Sequence, residues 1–264
     1  MTRVLLQAHE PEAYSLEHSA GSSAFFLACD HASATFPAAL GDMGLDERER
    51  ARHIAWDIGI AGVTRQLSKQ LDACAVLQNY SRLVIDANRP PRTPTSILAV
   101  SERTRIPGNE GLSEADIEQR EREIFIPYHD CIRAQLDERL RAQRPTVLCA
   151  MHSFTPSFMD VGREWHVGVL YNRDTRIAHA LLDALRSDEA LVVGDNEPYS
   201  ASDATDYTMV VHAERRSIPC VELEIRQDLI EDEAGQIAWA TRLAHLLPNV
   251  YERALNKPYE RTPR

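Results

Sequence analysis

Two unbroken apolar runs of strand length, Phe25 to Cys29 and Thr146 to Met151, each lead into a histidine, and this repetition constrains the fold more than any other feature. A strand apolar on both faces has to be covered on both, whereas a sheet with one wet face alternates. The first run ends in Asp30-His31-Ala32-Ser33 and the second in His152-Ser153-Phe154-Thr155-Pro156. Strands are also predicted at His166 to Tyr171, Ala190 to Gly194 and Ile218 to Ile225, with Asn196 to Ser200 as a loop. In Ile218 to Ile225, Val221, Leu223 and Ile225 face one way and Glu222, Glu224 and Arg226 the other.

Helical signals separate these strands. Asp46 with Glu49 has the layout of a helix N-cap. After Asp57, the spacing of Ile60, Val63, Thr64, Leu67 and Leu71 marks one apolar helical face. Ser113 caps a charged helix that Pro127 restarts as a second one, with Ile132, Leu136 and Leu140 as its core face. Helices are expected at Thr175 to Leu185 and at 236–255, the latter interrupted at Pro248. Strands alternating with helices give a layered α/β fold, read as one domain over 1–264. Residues 1–23 are expected to form a loosely attached leader, and Pro91 to Leu112 a long loop of the kind that covers sites.

The stretch Ser81 to Pro90 concentrates polar chemistry. Leu83, Ile85 and Ala87 alternate with Arg82, Val84, Asp86 and Asn88, which predicts a strand ended by Pro90 and Pro91. Arg82, Asn88 and Arg89 would then crowd the end of a core strand, where α/β sheets bind ligands. Arginine pairs with a carboxylate at two points, so this cluster suits an anion. The competing reading for Arg82 is an internal ion pair with Asp86.

A net charge of -11 disfavours nucleic acid and anionic membrane as partners, so an anionic ligand needs such a local cluster. The five cysteines are scattered and flanked by apolar residues, which reads as reduced core positions and not disulfides. With no apolar stretch of about 18 residues and no secretory layout at the N-terminus, the expected compartment is the cytoplasm.

His31 and His152 at strand ends and Asp57 at a helix start can converge on one rim of the sheet. Histidine and carboxylate ligands with an open position compose a catalytic zinc site. Each residue also has a plain reading, Asp57 as a helix N-cap and either histidine as a hydrogen-bonded rim residue.

Taken together, Asp-His-Ala-Ser at 30–33, Asp57-Ile-Gly, Ser-Arg-Leu-Val-Ile-Asp-Ala-Asn-Arg at 81–89, His152-Ser-Phe-Thr-Pro and Glu-Leu-Glu-Ile-Arg at 222–226 resemble the N-formylglutamate amidohydrolase family, as a divergent branch. The resemblance implies a zinc-exopeptidase-like fold, three-layered, with a mixed, largely parallel sheet between helices. It implies one Zn2+, or another divalent metal, on His31, Asp57 and His152, with Glu224 as the catalytic carboxylate and Arg82, Asn88 and Arg89 as the clamp for a substrate carboxylate. The carboxypeptidase pattern has an acidic ligand three residues after its first histidine, where this chain has Ala34; Asp57 then serves, with His53 as its rival. The implied activity is removal of an N-formyl or other small N-acyl group from an acidic amino acid such as N-formylglutamate, as in histidine catabolism. Glu224 would move the proton of an activated water and Arg82 would help stabilise the oxyanion. Arg226 could orient Glu224 or touch substrate, and Tyr199, Tyr207 and His212 are further candidates for a proton or an oxyanion donor. Rival readings are a zinc amidase or carboxypeptidase-like enzyme on another N-acyl amino acid or small peptide, and a metal-free carboxylate-binding module.

Overall fold

The structure, a computed structural model, describes residues 4–256. The chain runs through β1 (Tyr14–Glu17), β2 (Phe25–Cys29), α1 (Glu47–Arg50), α2 (Ile60–Leu71) and β3 (Cys74–Gln78). Two short strands, β4 (Val100–Ser101) and β5 (Thr104–Arg105), form a hairpin ahead of α3 (Glu114–Arg120) and α4 (Ile126–Arg141). Next come β6 (Val147–Phe154), a second hairpin of β7 (Ser157–Phe158) and β8 (Val161–Gly162), β9 (Val167–Leu170), α5 (Arg176–Arg186) and β10 (Val193–Asp195). The remaining elements are α6 (Thr208–His212), β11 (Cys220–Arg226) and α7 (Glu233–Leu255).

The main sheet has seven strands in the order β1-β3-β2-β6-β11-β9-β10. Its centre is parallel, while β1 runs antiparallel to β3 and β9 antiparallel to β11. Side-chain alternation divides the core between two faces. Phe25, Leu27, Cys149, Met151, Leu223 and Ile225 pack under α2, α5 and α7. Phe26, Ala28, Leu148, Ala150 and Cys220 pack under α4 and α6. This is the expected three-layered α/β arrangement, and all five cysteines are buried and free. No helix among the described residues is long and apolar enough to cross a membrane.

Several local expectations change. The segment before residue 23 is no loose leader over its described part: β1 is an edge strand, and the backbone N–H groups of Leu5 and Leu6 donate to the Glu123 carboxylate at 2.7 and 2.9 Å. Pro127 stands in the first turn of α4, as expected, although a wider turn over Glu121–Phe125 joins α3 to α4 without a break. Leu140 is exposed, and Pro248 lies inside a continuous α7.

The largest correction is at Ser81 to Pro90, which is a folded loop and not a strand. The place in the sheet is already taken by β3, so the chain turns over the sheet's C-terminal edge. Leu83, Val84 and Ile85 are all buried in a satellite core, which removes the two-faced pattern on which the strand reading rested. A buried loop must still satisfy its backbone. Here Asn109 Nδ2 donates to the Leu83 carbonyl at 2.8 Å, Arg120 Nη1 to that of Val84 at 2.9 Å, and His129 Nε2 to that of Ala87 at 2.9 Å. Arg120 is 1% exposed, and its guanidinium also donates to Asn109 Oδ1 at 2.6 Å, so three residues outside the loop hold its shape.

Candidate active site

The parallel centre of the sheet brings the predicted site residues to one rim. His31 lies two residues past the end of β2, while His152 lies inside β6, which runs two residues further. Asp57 is not the N-cap of α2; that position belongs to Gly59, whose φ of +80° makes the turn. A Cβ on Gly59 would lie 2.0 Å from the Ile230 carbonyl oxygen, so only glycine allows this approach. The turn frees the Asp57 carboxylate, and its backbone N–H donates to the His31 carbonyl at 3.0 Å.

Asp57 Oδ2 is 3.3 Å from His31 Nδ1 and 2.9 Å from His152 Nδ1, and all three ligand atoms lie within 4.8 Å of one another. The far nitrogens face carboxylates. His31 Nε2 donates to Asp86 Oδ1 at 2.7 Å, and His152 Nε2 lies 3.2 Å from Asp30 Oδ2. Asp30 is held by Tyr128 Oη at 2.8 Å and Thr208 Oγ1 at 2.7 Å. Such outer carboxylates orient metal-ligating histidines, leaving Nδ1 free for a cation. Two imidazole nitrogens and a carboxylate oxygen converging in a buried spot fit a divalent metal of the zinc type. Although burial opposes ionisation of Asp57, His31 and His152 hold its carboxyl far below the usual carboxylate range. Asp30 is likewise lowered to about 2, its burial being outweighed chiefly by His152. His53 does not join this group: its Nε2 faces Glu102 Oε1 at 3.2 Å.

Around the cluster lies a cavity of about 430 Å³. On β11, Glu224 is in register with His152, and its side chain lines the cavity while only 6% exposed. Burial, against the pull of His152, raises its carboxyl to about 7, and Asp57 pushes the same way. Glu222 also lines the cavity, on an interior strand. From the loop come Arg82, Asn88 and Arg89. Arg82 is committed to Asp86 by hydrogen bonds at 2.7 and 3.1 Å, and its Nη1 reaches Asp57 Oδ1 at 3.4 Å. The internal ion pair is therefore present, but Arg82 still lines the cavity. Asn88 Oδ1 accepts from the backbone of Tyr207 and Thr208 at 2.9 and 3.0 Å, so its amide anchors α6. Arg89 donates to the carbonyls of Asn88 and Thr205 and forms no ion pair among the described residues.

Other candidates separate. Tyr199 lines the cavity mouth, its hydroxyl accepting from Arg163 at 2.8 Å. Arg226 does not line the cavity: its guanidinium pairs with Asp228 and reaches the carbonyls of Arg163, Glu164 and Trp165. Tyr207 and His212 also lie outside the lining. The loop after Pro91 supplies cavity wall through Leu98, Val100, Ser101 and Glu102. Asp30 and Asp206 are the buried acids that sequence reasoning passed over; the adjacency of Asp30 to His31 was the available signal.

The family model for N-formylglutamate amidohydrolase matches residues 23–231. A solved gene product of Agrobacterium tumefaciens is 37% identical with a TM-score of 0.91, over 94% of this chain and 98% of that one. The N-formylglutamate amidohydrolase of Ralstonia eutropha is 16% identical with a TM-score of 0.67, over 94% of this chain and 100% of its own, and shows a shared fold. No curated protein sequence matches the chain. The match spans every element that carries the cluster and β11, and the chain belongs to the N-formylglutamate amidohydrolase family.

Proposed function

We propose that this chain is a metal-dependent amidohydrolase that removes an N-formyl or other small N-acyl group from an acidic amino acid such as N-formylglutamate. The observation that carries the reading is the convergence, on one buried cavity, of the His31-Asp57-His152 cluster, the unpaired carboxyl of Glu224 and the guanidinium of Arg89, which has no carboxylate partner. A divalent metal such as Zn2+ on the cluster supplies Lewis acidity and lowers the pKa of water.

The chain's own residues do the rest. Glu224 takes a proton from the attacking water as the water oxygen bonds to the acyl carbon. As the carbon–nitrogen bond breaks, it returns that proton to the leaving amine, giving formate and the free amino acid. A carboxyl raised to about 7 can serve in both directions near neutrality. Arg82, fixed by Asp86 and facing the cavity, adds positive charge where the acyl oxygen becomes an oxyanion. Arg89 holds the substrate carboxylate, and Asn88 fixes the start of the neighbouring helix.

The test is a hydrolysis screen of N-acyl amino acids, with formyl, acetyl and succinyl groups on acidic and neutral amino acids, in added zinc and in chelator. Chelator-sensitive release of the free amino acid from N-formylglutamate is expected. Purified protein that binds no metal stoichiometrically and hydrolyses none of these substrates overturns the reading.

A further inference from the structure

Arg163, at the foot of the β7–β8 hairpin, forms no ion pair among the described residues. Its guanidinium carbon lies 4.7 Å from the ring centre of Tyr199, 4.9 Å from that of Phe158 and 5.8 Å from that of Phe154, all within cation–π reach. The three rings line the cavity and Arg163 does not, so the cation stands behind the wall that they form. Its backbone is fixed on both sides: the N–H donates to the Pro156 carbonyl at 2.9 Å, and the carbonyl accepts from Arg226 Nη1 at 3.5 Å. Arg226 also reaches the carbonyls of Glu164 and Trp165 at 3.3 Å and is itself paired with Asp228, so the end of β11 anchors this segment.

The direction of the contact between Arg163 and Tyr199 follows from the groups themselves. A guanidinium only donates, so at 2.8 Å Nη1 donates and the Tyr199 oxygen accepts. A phenol carries one hydrogen, and that of Tyr199 has no acceptor among the described residues. It is left for a ligand, and Tyr199 shares the cavity wall with Arg89 and Glu224. With the acyl oxygen at Arg82, the acceptors that remain on an acidic N-acyl amino acid are its carboxylate oxygens.

We propose that Arg163 is a positioning residue, which holds Tyr199 in the cavity wall so that the tyrosine hydroxyl donates to a carboxylate oxygen of the substrate. This rests on the amidohydrolase reading for the identity of the substrate.

The experiment measures calorimetric binding of L-glutamate and steady-state hydrolysis of N-formyl-L-glutamate by zinc-loaded wild type, Tyr199→Phe, Arg163→Met and the double variant. Each single change should weaken L-glutamate binding by about tenfold, in line with one hydrogen bond to a charged group, and should raise KM more than it lowers kcat. The double variant should stay near about tenfold, because two residues that act through one contact are coupled. A role of Arg163 in propping the rings, or in attracting the substrate by its own charge, would persist in Tyr199→Phe, whose ring remains. A loss of about a hundredfold in the double variant therefore overturns the inference, and so does wild-type binding by Tyr199→Phe. Arg163→Ala replaces Arg163→Met if the latter does not fold. Hydrolysis with the same KM in all four proteins sinks the inference and leaves the proposed function. Coupled losses in binding with no hydrolysis sink the proposed function and leave the inference, and a wild type that neither binds nor hydrolyses sinks both.

Discussion

On one side of the cavity Glu222 and Glu224 stand on β11, an interior strand hydrogen-bonded to β6 and β9; on the other, Arg82, Asn88 and Arg89 stand on an irregular loop. Backbone pairing places the strand residues, so the ladder that positions Glu224 against His152 needs no particular side chain. The loop has no ladder. Asn109, Arg120 and His129 place it by donating to its carbonyls, and none of the three lines the cavity. Strand-borne chemistry should therefore be lost mainly by changing the chemical group itself, whereas loop-borne chemistry should also be lost from a distance.

The His31-Asp57-His152 cluster draws on both kinds of support and gives the largest expected effect. His152→Ala and Asp57→Ala should each lower bound zinc far below one per chain and reduce turnover by about a thousandfold or more, measured by elemental analysis and assay. His53→Ala should keep the metal, since its partner is Glu102. Loss of metal in His53→Ala with retention in Asp57→Ala would move the ligand. Next in size, Glu224→Gln preserves shape and strand register. It should fold and hold zinc while kcat falls by at least about a hundredfold with a smaller change in KM. More than a tenth of wild-type kcat would remove Glu224 from the base role.

The loop is the place to break the comparison. Arg120→Met removes a buried donor and leaves the carbonyls of Val84 and Gly108 and the Asn109 oxygen unsatisfied. A loss of about 2–4 kcal/mol in chemical denaturation is expected, with a rise in KM for acidic substrates as Arg89 loses its placement. If KM is unchanged in folded Arg120→Met, the loop does not depend on its anchors. Smaller still, Arg89→Ala should raise KM for an N-formyl amino acid by about tenfold and affect its neutral amide analogue much less. Equal effects on both would deny Arg89 the carboxylate.

How much of this was legible in the sequence follows the same division. β2 and β6 are continuous apolar runs and β11 an alternation that here does form a strand, and the structure places His31, His152 and Glu224 at one rim of the sheet they build. Asp57 was found because it precedes a clear helix, although Gly59, not Asp57, occupies the N-cap. The loop at 81–90 was misread because alternating polarity arises equally from a buried turn whose apolar residues enter a satellite core. Its donors Asn109, Arg120 and His129 lie 26, 36 and 42 residues away from the carbonyls they reach, beyond any local pattern. Arg226 shares the polar face of β11 in sequence, yet it lies at the strand's end, where Asp228 and three carbonyls claim it.

The two sides should also respond to pH with opposite signs. His129 donates through Nε2 to the Ala87 carbonyl, so its Nδ1 accepts from His212 Nε2 at 2.9 Å. Burial lowers His129 to about 4 and, with the charge of His129 added, His212 to about 3. Below their unfolded value of about 6.5 the unfolded chain binds these protons more readily, so stability is lost as pH falls from about 6.5 towards 4. On the strand the sense reverses: burial raises Glu224 to about 7 and Glu222 well above its ordinary value, so their contribution is lost as pH rises past about 4.5. Over this range the two sides should act in opposite senses in the wild type. Glu222→Gln with Glu224→Gln should expose the histidine slope, making unfolding free energy rise with pH between about 4 and 6.5. His129→Gln with His212→Phe should leave the carboxyl slope, making it fall. Each titrating group contributes up to about 1.4 kcal/mol per pH unit, so chemical denaturation of the metal-free proteins at three pH values resolves the difference. Parallel pH profiles in the two double variants would mean that the strand and the loop do not hold protons in opposite senses, and the contrast between them would reduce to geometry alone.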